Sequence, residues 1–130
     1  MERIYKPLDS LTNEDIDKIL DRNDIDEIII LPLSVGENHT NWKYAQEICV
    51  KLSRHENANV RANAILGFSY IARVHGKLEK HIVKPIILKE LRENKEFEGT
   101  IIDSIMDINI FLKWNLGKKA LNPLIVNRRN

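Results

Sequence analysis

Residues 57–64 read Asn57-Ala58-Asn59-Val60-Arg61-Ala62-Asn63-Ala64, and this stretch decides the fold. An amide side chain stands where the first free N–H groups of a helix need an acceptor, so Asn57 is expected to cap one. Val60 and Ala64 share a face, and Gly67, Phe68, Ile71 and Val74 continue it at three- and four-residue intervals. Gly76 then closes the helix in the left-handed backbone conformation that glycine adopts without strain. Shifting the chain by 37 residues lays Asn57 on Asn94, Val60 on Phe97, Ala64 on Ile101, Phe68 on Ile105, Ile71 on Ile108 and Val74 on Phe111. Core falls on core, and turn on turn. Periods of this length arise when helical hairpins stack, because one hairpin cannot bury both of its faces alone.

The same rhythm extends both ways. Trp42, Ala45, Ile48, Cys49 and Leu52 line one face of a helix that Thr40 or Asn41 would cap. Leu78, Ile82, Val83, Ile86, Ile87 and Leu91 define the next, with Pro85 kinking it or opening its second half. Phe97, Ile101, Ile105, Ile108, Phe111 and Leu112 define a last one. Near the N-terminus, Thr12-Asn13-Glu14-Asp15 supplies a capping hydroxyl and acids where the helix dipole favours them, ahead of Ile16, Ile19 and Leu20. Ile25, Ile28 and Ile29 repeat that pattern to Leu31, where Pro32 is expected to end it. Ile28–Leu31 would also suit a buried strand, but the chain offers no second strand to pair with it. Ser34–Asn41 (SVGENHTN) has the chemistry of a turn. The helices of residues 12–31 are therefore expected to form a degenerate capping pair. The pattern predicts an all-α stack of antiparallel helix pairs over residues 1–114, with a basic tail over 115–130.

Composition narrows the function. The chain has 130 residues and 15.1 kDa, 43% of them hydrophobic and 30% charged. That is one domain with a core of its own. Cys49 has no partner for an internal disulfide, Met1–Ser10 is charged and carries Pro7, and no apolar run is long enough to cross a bilayer. A soluble cytoplasmic protein with no membrane partner is expected. A net charge of +1 and 6% aromatic residues argue against a dedicated nucleic-acid binder. The charge is nevertheless graded: residues 1–40 hold ten acids against four bases, whereas residues 113–130 hold five bases and no acid. Such a gradient keeps a protein soluble, and it also steers a basic partner toward the acidic end.

The spelling of residues 57–64 resembles the inter-helix turn and second-helix start of HEAT repeats, where an amide or acid cap is followed by Val-Arg-x-x-Ala. Asn63-Ala64-Ile65-Leu66-Gly67, the run Ile71–Gly76 and Trp42–Glu47 further resemble small bacterial HEAT-repeat proteins, over roughly residues 40–114. The resemblance implies a right-handed HEAT-like α-solenoid in which Arg61 bonds a turn of a neighbouring repeat. Phe97-Glu98 departs from that spelling where the second arginine would stand. Some proteins of this kind resemble immunity proteins, the antidotes to polymorphic or contact-dependent growth-inhibition toxins. They imply a one-to-one complex of a monomer with a cognate toxin, here a basic one such as a nuclease, whose active site is occluded. A general scaffold or adaptor is the alternative, and a HEAT-like DNA glycosylase a more distant one, since it needs a basic groove.

No chemistry-bearing constellation stands out. His39, His55, His75 and His81 lack the helical spacing of a zinc site, Cys49 lies on an apolar face, and no phosphate loop or nucleophile motif is present. No catalytic residue, metal ligand or cofactor is therefore assigned. His75 is expected to bond the C-terminal carbonyls of its own helix. The candidate partner-binding residues lie on the polar flank of the second helices. Glu96, Thr100, Asp103 and Asp107 follow at four, three and four residues as one acidic stripe, and Asn63, Tyr70 and Arg73 stand beside it on the preceding helix. Asp103 and Asp107 repel one another at i, i+4, so a salt bridge from Arg73 or from a partner is expected there. Trp42 and Trp114, placed at opposite ends of the stack, suit core packing; either, if exposed, would be a binding anchor, and Trp114 is counted among the candidate partner-binding residues.

Overall fold

In the computed structural model, residues 11–118 are described. They form α1 (Asn13–Arg22), α2 (Ile25–Ile28), α3 (Leu31–Asn38), α4 (Trp42–Leu52), α5 (Ala58–His75), α6 (Lys80–Glu93) and α7 (Glu98–Leu112). No strand occurs among these residues, so the apolar run at 28–31 is helical or a helical link. The start signals act as their chemistry dictates. Thr12 Oγ1 accepts from Asp15 N–H while the Asp15 carboxylate accepts from Thr12 N–H, which satisfies two otherwise free amides at once. Asn41 Oδ1 accepts from Lys43 and Tyr44, and Asn57 Oδ1 from Asn59 and Val60. Gly76 closes α5 with φ +66°.

Helix α5 is the axis of the molecule. It packs against α3 on one side and α7 on the other, α4 covers α3 and α5, and α6 covers α5 and α7. No residue between Asn57 and Ala72 is fully exposed. Val60, Ala64, Phe68 and Ile71 are buried, and so are their counterparts Ile101, Ile105 and Ile108 on α7. The period also holds where it leaves the core: Val74 and Phe111, both expected inside, are both exposed, at 48% and 43%. They fall in the last turn of their helices, beyond the reach of the covering layer.

Two expectations near the N-terminus need correction. Pro32 does not end a helix, and Ser34–Asn41 is not a turn; α3 runs through most of it. Proline in a first turn removes an N–H that has no helical acceptor anyway, so it starts a helix as readily as it stops one. Gly36 lies inside α3 because the backbone of α5 passes against it. A Cβ there would stand 2.6 Å from the Gly67 carbonyl oxygen, and a Cβ on Gly67 would stand 2.8 Å from the Pro32 carbonyl oxygen. Helix-breaking composition here serves a close crossing of two helices. The four residues Ile25–Ile28 form only one turn, capped by the Asp24 side chain on Asp26 N–H.

Polar latches tie each layer to the one before it. Asn63 Nδ2 donates to Ile29 O (2.7 Å), His75 Nε2 meets His39 O (3.0 Å) and Arg73 pairs with Glu37 (3.4 Å). Gln46, buried on α4, exchanges two hydrogen bonds with Glu79 at the start of α6. Asn94 Nδ2 reaches Ala58 O (2.8 Å). Although the 37-residue shift matches Asn94 to the capping Asn57, Asn94 ends α6, and α7 begins only at Glu98. Contacts of α3 with α5 rise together in number, from Ile29–Asn63 to His39–His75, so these two helices are parallel.

His39 and His55 are built alike. Each precedes a capping asparagine by two residues, and each Nδ1 accepts that asparagine's N–H, from Asn41 and Asn57, at 3.0 Å. Nε2 must then carry the hydrogen, and it donates to Asn13 Oδ1 (2.7 Å) and Asn23 Oδ1 (2.8 Å) respectively. Asn13 opens α1 and Asn23 is its left-handed C-cap, so the two imidazoles pin α1 at both ends. Replacing both histidines by alanine removes four hydrogen bonds, each worth about 1 kcal/mol. Amide exchange of α1 is expected to accelerate by more than tenfold while that of α5 stays slow.

Candidate functional site

The predicted site residues divide into an inner and an outer set. Asn63 and Tyr70 are half-buried in the trough of α5, between α3 and α7. The Asn63 amide is held by the Ile29 carbonyl, so it joins α2–α3 to α5. Tyr70 carries the Arg73 guanidinium 4.7 Å above its ring. The ion pair of Arg73 runs to Glu37 on α3, and not to the α7 acids as their spacing suggested.

The outer set lies on α7 and its approach. Glu96, Asp103 and Asp107 are exposed and Thr100 is half-buried, so the stripe faces outward. Gly99 sits on the same face, and nothing lies within 4 Å of where its side chain would be. Toward the C-terminus the stripe becomes apolar: Ile110 is 68% exposed and Phe111 follows it. This helix edge begins with carboxylates and ends with the exposed side chains of Ile110 and Phe111. Single exposed apolar residues are ordinary; here two adjacent ones stand at the end of the acidic stripe.

Arg61 bonds the turn of its own α4–α5 hairpin and not, as the HEAT resemblance implied, a turn of a neighbouring repeat; its reach to the next layer is to the Glu90 side chain. Nη1 donates to the His55 and Glu56 carbonyls (2.9 and 2.8 Å) and Nε to Glu90 Oε1 (3.1 Å) on α6. Glu90 is buried and also accepts from Asn94 Nδ2 (3.2 Å). A cleft of about 370 Å³ opens beside this network, with Arg54, Lys89 and Glu93 on its rim and Arg61 already engaged.

The tryptophans depart most from the sequence-based expectation. Trp42 and Trp114 do not mark opposite ends; both are half-exposed walls of one cleft of about 460 Å³, shared with Gly76, Lys77, Leu78, Phe111, Leu112 and Lys113. The starts of α4 and α6 and the ends of α5 and α7 therefore meet at one end of the molecule. Beyond Trp114 the chain still contributes to the core. Leu116 is buried, and Asn109 holds it through paired bonds, Nδ2 to the Leu116 carbonyl and Oδ1 from its N–H (3.1 and 2.8 Å). Of the expected tail, residues 119–130 lie outside the described residues.

Chemical groups elsewhere are arranged for packing. Cys49 is wholly buried, its thiol 3.7 Å from the Pro32 carbonyl, and burial pushes its ionisation well above the usual thiol range. A thiol so held has no thiolate with which to react. His75 bonds the His39 carbonyl and not the carbonyls of its own helix. Among the described residues no three His, Cys, Asp or Glu side chains are grouped to hold a metal ion, and no helix is long and apolar enough to cross a membrane. The residues that sequence reasoning missed here are His39, His55 and Gln46. A His-x-Asn spelling before two successive helices was the available signal for the first pair. Comparison with family models, curated proteins and solved structures finds no match for this chain.

Proposed function

We propose that this protein is a binding protein of the immunity type: a HEAT-like α-solenoid that neutralises a cognate basic toxin, such as a nuclease, by covering its active site, with no chemistry of its own. The observation that carries this proposal is the outer edge of α7, where Glu96, Asp103 and Asp107 run into the bare side chains of Ile110 and Phe111. Exposed acids of one sign raise the capture rate of a basic protein, and apolar side chains beside them hold it once captured. The parallel run of α3 and α5, latched at nearly constant spacing, supports a stack of repeats. Rigid layers present such an edge without reorganising, which lowers the cost of binding. Action in the cytoplasm, as a monomer in a one-to-one complex, belongs to the same proposal.

The test pairs the chain with the product of a toxin gene found beside its own; absence of such a gene would count against the proposal. Cells making both are expected to survive toxin expression, and the purified pair to bind one-to-one. Asp103→Lys with Asp107→Lys is expected to weaken binding by at least about a hundredfold, mostly through slower association at low salt. Equal affinity for the reversed variant would reject the electrostatic mechanism. A chain that binds other proteins but protects no cell would be the scaffold that its bare helix edge equally supports.

A further inference from the structure

The second feature of opposite character is the tryptophan cleft. Both tryptophans of the chain stand in its walls, neither fully covered, together with the exposed ring of Phe111 and the edges of Leu78 and Leu112. Its charged lining residues are Lys77 and Lys113, both exposed, and Lys80 lies with its ammonium 5.3 Å from the Trp114 ring centre. The nearest acid in sequence, Glu79, is turned to Gln46. Lys113, at the C-cap of α7, has a local structural reason for its charge. Lys80 has the reverse: it is the first residue of α6, where the helix dipole disfavours a cation, and that helix has no side-chain cap. Three cations gathered around an aromatic hollow, one of them set against its own helix, define a site that wants an anion beside an apolar group.

We infer that this cleft docks an acidic peptide segment of a protein partner, seating an apolar side chain against Trp42 and Trp114 and placing its carboxylates on Lys77, Lys80 and Lys113. Charge complementarity selects the occupant. Half-exposed aromatic residues ringed by charge are the usual anchors of such contacts. The hollow, at about 460 Å³, accepts a bulky side chain with its neighbours. A nucleic-acid strand fits less well: three lysines at one end neutralise few phosphates, and the acids of α7 follow directly along the same helix. The cleft shares Phe111 with the end of the α7 edge, but the inference uses none of that edge's acids and calls for a ligand of the opposite sign.

The probes are three: the capped peptide Asp-Glu-Leu-Glu-Asp, its basic counterpart Lys-Lys-Leu-Lys-Lys, and oligothymidylate. Each is titrated into the full chain while the two tryptophan indole N–H resonances are followed. The acidic peptide is expected to shift both, and salt to reverse the shift. Lys77→Glu with Lys113→Glu is expected to weaken it by about tenfold or more, with helix content unchanged. The neutral pair Lys77→Ala with Lys113→Ala, which removes these charges without reversing them, should fall between. No shift with the acidic peptide, an equal shift with the basic one, tighter binding of oligothymidylate, or indifference to both lysine pairs would each overturn the inference.

Discussion

Gly67→Ala is expected to destabilise the protein by about 3 kcal/mol and to lower its melting temperature by roughly 10 °C. The added Cβ would lie 2.6 Å from Cys49 Sγ and 2.8 Å from the Pro32 carbonyl oxygen. Neither neighbour has room to give: Cys49 is wholly buried, and the carbonyl belongs to the first turn of α3. The methyl must therefore force α3 and α4 off α5 together. Cys49→Ala in the same chain relieves only the contact to sulfur, so it should restore part of the loss and not all. Gly99→Ala is the control. It faces open space on the outer side of α7, where removing a flexible residue from a helix gains about 0.5–1 kcal/mol. Calorimetry of the three variants would show opposite signs at the two glycines; equal effects would mean that α3 and α5 do not cross at Gly67.

Arg61→Ala should cost a comparable amount, about 3 kcal/mol, because it leaves Glu90 charged and buried with only Asn94 to bond it. The arginine side chain is 25% exposed and the glutamate 5%, so water screens this pair little. Two backbone carbonyls of the α4–α5 turn, those of His55 and Glu56, lose their donor at the same time. Glu90→Gln keeps the shape and the acceptor oxygen and should cost only about 1 kcal/mol. Arg61→Ala with Glu90→Leu removes the uncompensated charge and should recover most of the loss. Urea unfolding checks all three, with a lowered midpoint and an unchanged slope for Arg61→Ala. A loss equal for Arg61→Ala and Glu90→Gln would show that the ion pair is not what joins the two hairpins.

Why some of this was legible in the sequence and some was not follows from where each signal resides. Caps and apolar periodicity are local, so α1 and α4 through α7 could be read from Thr12, Asn41, Asn57, Gly76 and the spacing of Ile101, Ile105 and Ile108. Helix α3 was hidden because its defining residues, Pro32 and Gly36, are helix breakers by propensity. Their reasons lie elsewhere in the chain: a first-turn position for the proline, and the backbone of α5 against the glycine. The 37-residue match held for the turn residues Asn57 and Asn94 and for the buried pairs from Ala64–Ile101 to Ile71–Ile108, but it put Val74 and Phe111 inside, and a shared amide says nothing of which helix end it serves. The acidic face of α7 was legible, because side-chain direction follows from helical spacing alone. The meeting of Trp42 with Trp114 was not, because it depends on which helix ends share one side of the molecule.

Hydrogen exchange of the chain in complex with the expected basic toxin tests the binding proposal most directly. Slowed exchange confined to α7 and the turn that leads into it, with α1 and α2 unchanged, is the predicted result. Protection on α1 and α2 with α7 left as fast as in the free protein would contradict it.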